Sequence, residues 1–256
     1  MSHCEKRSIR WGGLMTLVVF AMSFASVEQA AEPIEGIGPT GPVREVYSKC
    51  LFTEGPAALE DGSLLFTDIP KALILKVDSE GNVSTFREES NHANGLMPNG
   101  KGEVYACEMD GQLAAISLED GKRRVIADAH DGKRFNAPND LVIDSAGGVY
   151  FTDPGFRAPD PLPQGVTGVY YVSPAGEVTR LVDDLPNPNG VILSPDEKTL
   201  YVIPTGQAEM MAYSVLEPGQ IDEGRVFCSL KQAPGKSGSG GDGLTETQRI
   251  ASDGEW

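Results

Sequence analysis

Short runs of apolar residues recur along the chain, and turns rich in Gly, Asp and Asn separate them. After the Gly- and Pro-rich stretch at residues 33–42, no segment shows the 3.6-residue apolar period of a long amphipathic helix. Many of the runs are short, rich in residues that favour strands and bounded by turn signals, which is typical of strands. The pattern predicts an all-β fold of short strands.

These runs belong to a repeat. Each unit opens with an acidic or amide residue that Gly or Asp follows, and then continues through an apolar pair, a turn and a second strand. The units are EGPAALEDGSLLFTD from Glu54, ANGLMPNGKGEVYACE from Ala93, PNDLVIDSAGGVYFTD from Pro138 and PNGVILSPDEKTLYVI from Pro188. Two further strands are predicted after each unit, in order at residues 73–78 and 83–86, 112–117 and 123–126, 167–172 and 178–182, and 210–215 and 225–227.

The residues that open the units are called openers here. Glu54, Asn94, Asn139 and Asn189 stand about 40 to 50 residues apart, which is the length of a four-stranded β-propeller blade. A further opener, Asp242, stands in GGDGLTE, but the ETQRIASDGEW after it contains no apolar strand. We therefore expect four full blades, the first strand and start of the next, and no last blade, so that strand edges are left unpaired.

The N-terminus has the pattern of a signal peptide. Lys6, Arg7 and Arg10 precede an apolar run from Leu14 to Ala25 that is short for a membrane span. We expect a signal peptide at residues 1–30, a lead-in at 31–44 and the propeller at 45–256. The mature chain is then periplasmic or secreted, with no stable membrane insertion after cleavage.

Charge and cysteine content exclude several other classes. The chain has 21 Lys and Arg against 37 Asp and Glu, a formal net charge of −16, and such a surface repels nucleic acid. Cys50, Cys107 and Cys228 remain after the signal, an odd number without a CxxC pair, which argues against a disulfide framework or a zinc site. His92 and His130 lie in polar turns and are read as incidental.

Openers of equivalent strands converge near one end of a propeller channel. Glu54, Asn139, Asn189 and Asp242 would bring two carboxylates and two amide oxygens to one point, a donor set suited to Ca²⁺, Mg²⁺ or Mn²⁺. The alternative is a purely structural repeat signature, since Asn and Gly are common turn residues.

The same motifs resemble those of the senescence-marker/gluconolactonase family, which includes regucalcin and is related to diisopropyl fluorophosphatase. The likeness extends over residues 45–245 and rests on EGP at Glu54, NAPND with VYFTDP around Asn139, PNG with LSPDEKTLYV at Asn189 and GDG at Asp242. It implies a six-bladed propeller with one divalent cation held by Glu54, Asn189 and Asp242. Asn139 is an added ligand or a substrate contact. Ca²⁺ is the first expectation, with Mg²⁺, Mn²⁺ or Zn²⁺ as alternatives.

The resemblance also implies hydrolysis of a small-molecule lactone. A cation at the carbonyl oxygen acts as a Lewis acid, and Asp242 is the candidate general base for the attacking water. Asn139 would orient the substrate. Asp153 either supports the site or is a turn residue at a strand end.

One position departs from the family pattern. Sugar-lactonase relatives often carry an arginine two residues before the asparagine of the PND motif, where this chain has Ala137. Arg134 and Arg157 are the nearest substitutes.

Two readings compete with an active lactonase. One is a non-catalytic propeller that binds a metal ion or a partner through its face, and the other is an inactive truncated copy of such an enzyme. Organophosphate hydrolysis is a side branch of the same chemistry. The oligomeric state stays open.

Overall fold

The computed structural model describes residues 45–230 and 240–244. These residues form strands, turns and one 3-10 turn at Ile69–Lys71. The predicted signal peptide, the lead-in and the segment after Leu244, where the last blade was predicted to be missing, lie outside the described residues. No helix in the described ranges is both long enough and apolar enough to cross a bilayer.

Four antiparallel sheets follow one another along the chain, and each is an up-and-down meander of four main strands. A two-stranded hairpin separates the second sheet from the third, and a short extra strand pairs with the third main strand of the fourth sheet. In chain order the strands are β1 (Thr53–Ala58), β2 (Leu64–Asp68), β3 (Leu73–Val77), β4 (Val83–Arg87); β5 (Ala93–Pro98), β6 (Glu103–Glu108), β7 (Gln112–Ser117), β8 (Arg123–Ala127); the hairpin β9 (Ala129–His130) and β10 (Lys133–Arg134); β11 (Leu141–Ile143), β12 (Val149–Asp153), β13 (Gly168–Val172), β14 (Val178–Val182); and β15 (Pro188–Leu193), β16 (Thr199–Pro204), β17 (Glu209–Glu217), β18 (Gln220–Ile221) and β19 (Arg225–Ser229).

The sheets are the blades of a β-propeller, and the predicted fold class is confirmed. The first strands of successive blades contact one another, β1 with β5, β5 with β11 and β11 with β15. The third and fourth strands of every blade begin and end within two residues of their predicted bounds.

Apolar layers between neighbouring blades form the core. The middle strands β12 and β13 are buried along their whole length because both of their faces are covered. Successive side chains of a strand point to opposite faces, so Tyr150 joins the layer between the third and fourth blades while Phe151 joins the layer between the second and third. A third layer, around Leu65 and Val104, lies between the first and second blades.

Candidate functional site

Five openers gather at one place. Two cavities, of about 750 and 360 Å³, are both bordered by Glu54, Asn94, Asn139, Asn189 and Asp242. These five residues are called the opener ring. All four residues of the predicted metal set belong to it, together with Asn94, which is an opener of the repeat but is not among the predicted ligands.

The glycine after an opener lets neighbouring blades approach. Gly95 N–H donates to the carbonyl oxygen of Asn139 at 2.8 Å, and Gly190 N–H donates to that of Asp242 at 3.1 Å. A Cβ added to Gly95 would lie 2.7 Å from the Asn139 oxygen, which is too close for any other residue without movement. The Gly in the repeated Asn-Gly pair is therefore a packing requirement of the ring.

In the third blade Asp140 takes the place of this glycine. Its carboxylate accepts hydrogen bonds from Leu141 N–H at 2.9 Å and from Val191 N–H of the fourth blade at 3.1 Å. A side-chain bridge thus replaces the direct backbone contact. Burial raises the pKa of Asp140 to about 6, against the opposing effect of these N–H donors.

Irregular pairing accompanies the openers in three blades. The register shifts between Glu54 and Ala57, between Ala93 and Leu96, and between Pro188 and Gly190. Such bulges redirect a side chain and are frequent beside functional sites.

A buried carboxylate at the end of the second strand holds the segment before the opener. Asp153 accepts hydrogen bonds from Asn136 N–H at 2.8 Å and Ala137 N–H at 2.7 Å, just ahead of Asn139. Asp68 accepts from Leu51 N–H at 3.2 Å and Phe52 N–H at 3.3 Å, just ahead of Glu54. Both carboxylates are fully buried. Asp153 is therefore a strand-end residue that positions the segment leading to the site.

The other two blades vary this arrangement. Glu108 ends the second strand of the second blade and accepts a 2.9 Å hydrogen bond from the side chain of Asn91 and a 2.7 Å bond from Arg123. In the fourth blade Pro204 occupies the corresponding strand end, and the segment ahead of Asn189 contains Pro186 and Pro188. Proline has no N–H to donate, so an acid there would have fewer partners.

Threonine hydroxyls of the first, third and fourth blades bond to the next opener or to the residue before it. Thr67 Oγ1 donates to the carbonyl oxygen of Asn94 at 3.2 Å, and Thr152 Oγ1 donates to that of Asn189 at 2.7 Å. Thr205 Oγ1 donates to Gly241 O at 3.1 Å and accepts from Asn189 Nδ2 at 3.0 Å. The ring is thus built on repeated inter-blade hydrogen bonds.

The electrostatics of the ring favour a bound cation. Burial, followed by the charges of Asp242 and Asp140, raises the pKa of Glu54 to about 7. No Lys or Arg is found among the described residues that border the larger cavity, and only Arg157 borders the smaller one. The carboxyl groups of Glu54, Asp140 and Asp242 therefore border the larger cavity without a Lys or Arg among the described residues that line it.

The carboxylates of the opener ring do not make up a metal site by themselves, and the ring suits a hard divalent cation only if amide oxygens also serve as donors. Among the described residues, no three His, Cys, Asp or Glu side chains converge as a metal-binding group. Asn189 engages its Nδ2 with Thr205, and its oxygen forms no hydrogen bond within the described part of the chain. Carboxylate oxygens of Glu54 and Asp242 with amide oxygens of Asn139 and Asn189 make up a set that Ca²⁺ accepts.

Four apolar side chains line part of the smaller cavity and are called its apolar mouth: Phe52, Ile69, Met109 and Phe156. These four residues could not be predicted from the apolar pattern of the sequence because they stand singly at strand ends, outside any periodic run. Three of them share a position in the repeat that could have identified them. Phe52 stands two residues before an opener, and Ile69 and Met109 directly follow the second strand of a blade.

The two substitute arginines differ in position. Arg134 donates from Nε to Phe135 O at 3.0 Å and from Nη2 to Asn136 O at 3.1 Å, which engages its guanidinium with backbone. Arg157 is exposed and borders the smaller cavity. Ala137 is fully buried and packs with Ile69 and Met109.

Comparison with known proteins gives one family. The SMP-30/Gluconolactonase/LRE-like region matches residues 52–249. A gluconolactonase of Zymomonas mobilis is 33% identical over 182 residues, which are 63% of this chain and 51% of the relative. The lactonase drp35 of Staphylococcus aureus is 32% identical over 173 residues, 64% of this chain and 51% of the relative. The chain spans about half the length of these two relatives.

Solved structures give the same picture. A gluconolactonase from Xanthomonas campestris superposes with a TM-score of 0.68 at 30% identity, covering 72% of this chain and 65% of that one. Regucalcin from Agrobacterium tumefaciens, described as a calcium-binding protein, superposes with a TM-score of 0.59 at 21% identity, covering 70% and 60%. The second likeness concerns the fold alone.

Proposed function

The chain belongs to the SMP-30/gluconolactonase/LRE-like family, and on that premise we propose that it hydrolyses a lactone with one divalent cation bound at the opener ring. The observation that carries the proposal is the convergence of Glu54, Asn139, Asn189 and Asp242 where two cavities meet. Similarity to the Zymomonas mobilis gluconolactonase and to the lactonase drp35 supports the reaction class.

Glu54, Asn189 and Asp242 are the proposed ligands, with Asn139 as a fourth ligand or a substrate contact. Ca²⁺ suits oxygen donors of this kind, and Mg²⁺, Mn²⁺ and Zn²⁺ are the alternatives to test. When bound, such a cation polarises the lactone carbonyl and lowers the pKa of a nearby water. Thr205 Oγ1 accepts a hydrogen bond from Asn189 Nδ2, so that the amide oxygen of Asn189 is left to bind the cation.

Side chains of the protein carry out the proton transfers of the proposed reaction. The oxygen of the water bonds to the carbonyl carbon while Asp242 accepts a proton from that water. The ring C–O bond then breaks. The proton passes to the departing alkoxide, so that water and lactone yield a hydroxy acid. Asn139, held by the segment that Asp153 anchors, orients the lactone.

The N-terminal pattern extends the proposal to location. A basic start followed by a short apolar run supports export to the periplasm or the medium. Mass spectrometry of the protein recovered from culture fractions tests this, and a mature chain that retains Met1 in the cytoplasm would contradict it.

The central experiment measures hydrolysis of glucono-δ-lactone and δ-valerolactone by the purified chain in a pH-stat. We expect turnover with added Ca²⁺, loss of turnover in EDTA and recovery on readdition. A thermal melt beside it should shift upward with the cation, because a ligand that binds the folded state stabilises it. Absence of turnover on both lactones with each of the four cations would refute the proposal.

A further inference from the structure

The smaller cavity indicates which lactone fits the site. We propose that it accepts a lactone with an apolar substituent in preference to a polyhydroxylated sugar lactone, and that Phe52 and Phe156 set this preference. The inference rests on the proposed lactonase function and adds a substrate class to it.

The apolar mouth lies at the same end of the blades as the opener ring. Phe52 directly precedes β1, Ile69 directly follows β2, Met109 directly follows β6 and Phe156 follows β12. In an antiparallel meander the start of the first strand lies beside the end of the second. The four side chains therefore line the smaller cavity beside the ring.

The mouth has a fixed part and an open part. Ile69 and Met109 are only 6% and 4% exposed, because they pack with Ala137 in a small apolar cluster. Phe52 and Phe156 are 57% and 45% exposed, although aromatic rings are costly to leave in water. Two such rings at the edge of a 360 Å³ cavity give an apolar group surface to cover.

Substituent hydroxyls would find few partners here. Thr205 Oγ1 is engaged by Gly241 O and Asn189 Nδ2, and Asn94 Nδ2 lies 3.9 Å from Met109 Sδ. The other side chains of the opener ring are the proposed ligands of the cation, the substrate contact and the base for the attacking water. A hydroxyl that leaves water without gaining a partner weakens binding.

Asn94 and Arg157 are then the two polar side chains of the described lining that the proposed reaction does not use, and of these Arg157 is the charged one. It forms no ion pair with any described residue. A single guanidinium in a cavity that four apolar side chains also line matches one polar group on the substrate, such as the carboxylate formed on ring opening, better than a ring of hydroxyls.

The test separates binding from turnover by using lactams, in which a stable amide replaces the reactive ester. Isothermal titration calorimetry with the purified chain and Ca²⁺ compares 6-propylpiperidin-2-one with gluconolactam, two six-membered rings that differ in their substituents. We expect the propyl lactam to bind about tenfold or more tightly, since three buried carbons carry that preference. Equal or tighter binding of gluconolactam, or no binding of either probe, would overturn the inference.

The variants assign the preference to residues. A Phe52→Ala/Phe156→Ala double variant should bring the affinity ratio of the two lactams close to one. Phe227→Ala, which removes an exposed phenylalanine on β19 outside both cavities, is the matched control and should leave the ratio unchanged. If the double variant has no cooperative melt, Phe156→Ala alone serves the same comparison. An unchanged ratio in a folded variant would refute the role of the two rings.

Hydrolysis of δ-valerolactone, which has no substituent, tests the proposed function independently. Turnover combined with a preference for gluconolactam would remove the inference and keep the lactonase. A preference for the propyl lactam without turnover on any lactone would remove the lactonase and keep the apolar binding site.

Discussion

The backbone N–H of Gly190 donates a 3.1 Å hydrogen bond to the carbonyl oxygen of Asp242. These residues lie on consecutive repeats, and the contact places the proposed base beside Asn189, a proposed ligand. A Cβ on Gly190 would lie 2.4 Å from the Asp242 oxygen and 2.8 Å from Ile203 Cγ2. The position of the carboxylate thus depends on the absence of a side chain at Gly190.

Gly190→Ala should displace Asp242 from the ring. We expect a loss of about 1–3 kcal/mol in the free energy of unfolding from overpacking and a fall in turnover of about 100-fold from misplacement of the base. Urea denaturation and lactone hydrolysis measure the two effects. Gly243→Ala is the control, because a Cβ there meets nothing within 4 Å. Equal activity of the two variants would contradict the role of the contact.

Asp242→Asn and Glu54→Gln should separate base from ligand. The first should lower turnover by about 100-fold or more while Ca²⁺ affinity falls less, because an amide still offers an oxygen but accepts no proton. The second should mainly weaken Ca²⁺ binding, since it removes a charged donor. Calorimetric titration with Ca²⁺ and turnover at saturating cation distinguish them. Full turnover of Asp242→Asn would exclude Asp242 as the base.

Thr205→Val should weaken the cation site without removing a ligand. The hydroxyl holds Asn189 Nδ2 and links it to Gly241 O. Loss of such a supporting hydrogen bond typically costs about 10–100-fold in metal affinity. Thr179→Val on the exposed face of β14 is the matched control and should leave Ca²⁺ affinity unchanged. The same result for both variants would show that the hydroxyl does not support the ligand.

Asp153 should give the fold a specific pH dependence. Burial raises its pKa from 3.8 to about 7, so the folded chain retains a proton that the unfolded chain releases. The stability linked to this proton is present below pH 3.8 and is lost as the pH rises to about 7. Urea denaturation from pH 4 to pH 7.5 should therefore show a smaller decline for Asp153→Asn than for the parent chain.

Asp78→Asn is the opposite control for that series. Hydrogen bonds from the Asn82 side chain and backbone lower the pKa of Asp78, so its contribution to stability grows as the pH rises. Its removal should make the decline steeper. Parallel curves for the parent chain and Asp153→Asn would show that Asp153 does not carry the shift.

The strands and the openers could be predicted from the sequence because both depend on local pattern. Short runs of β-branched and aromatic residues indicate strands such as β12, and an acid or amide before Gly or Asp recurs at blade spacing. The need for glycine after the opener could not be predicted from the sequence, because it arises from a carbonyl oxygen of the next blade. At Gly95 that oxygen belongs to Asn139.

Other parts of the site depend on long-range contacts with no local signature. Asp153 at the end of β12 has the appearance of an ordinary turn residue until its hydrogen bonds to Asn136 and Ala137 are known. Phe52 and Phe156 are 104 positions apart in the numbering and come together only when the blades are arranged around the channel. A single aromatic residue in a loop carries no information about this neighbourhood.

The alternation of Tyr150 and Phe151 between two apolar layers has a consequence for how relatives diverge. The ring centroids of Tyr150 and Tyr171 lie 4.7 Å apart in one layer, and those of Phe151 and Phe135 lie 5.0 Å apart in the other. A change in side-chain volume at Tyr150 must be compensated in the layer that contains Tyr150 and leaves the layer that contains Phe151 intact, and the converse holds for Phe151. Across an alignment, Tyr150 should covary with Tyr171 and Phe151 with Phe135, while the two neighbours in sequence should vary independently.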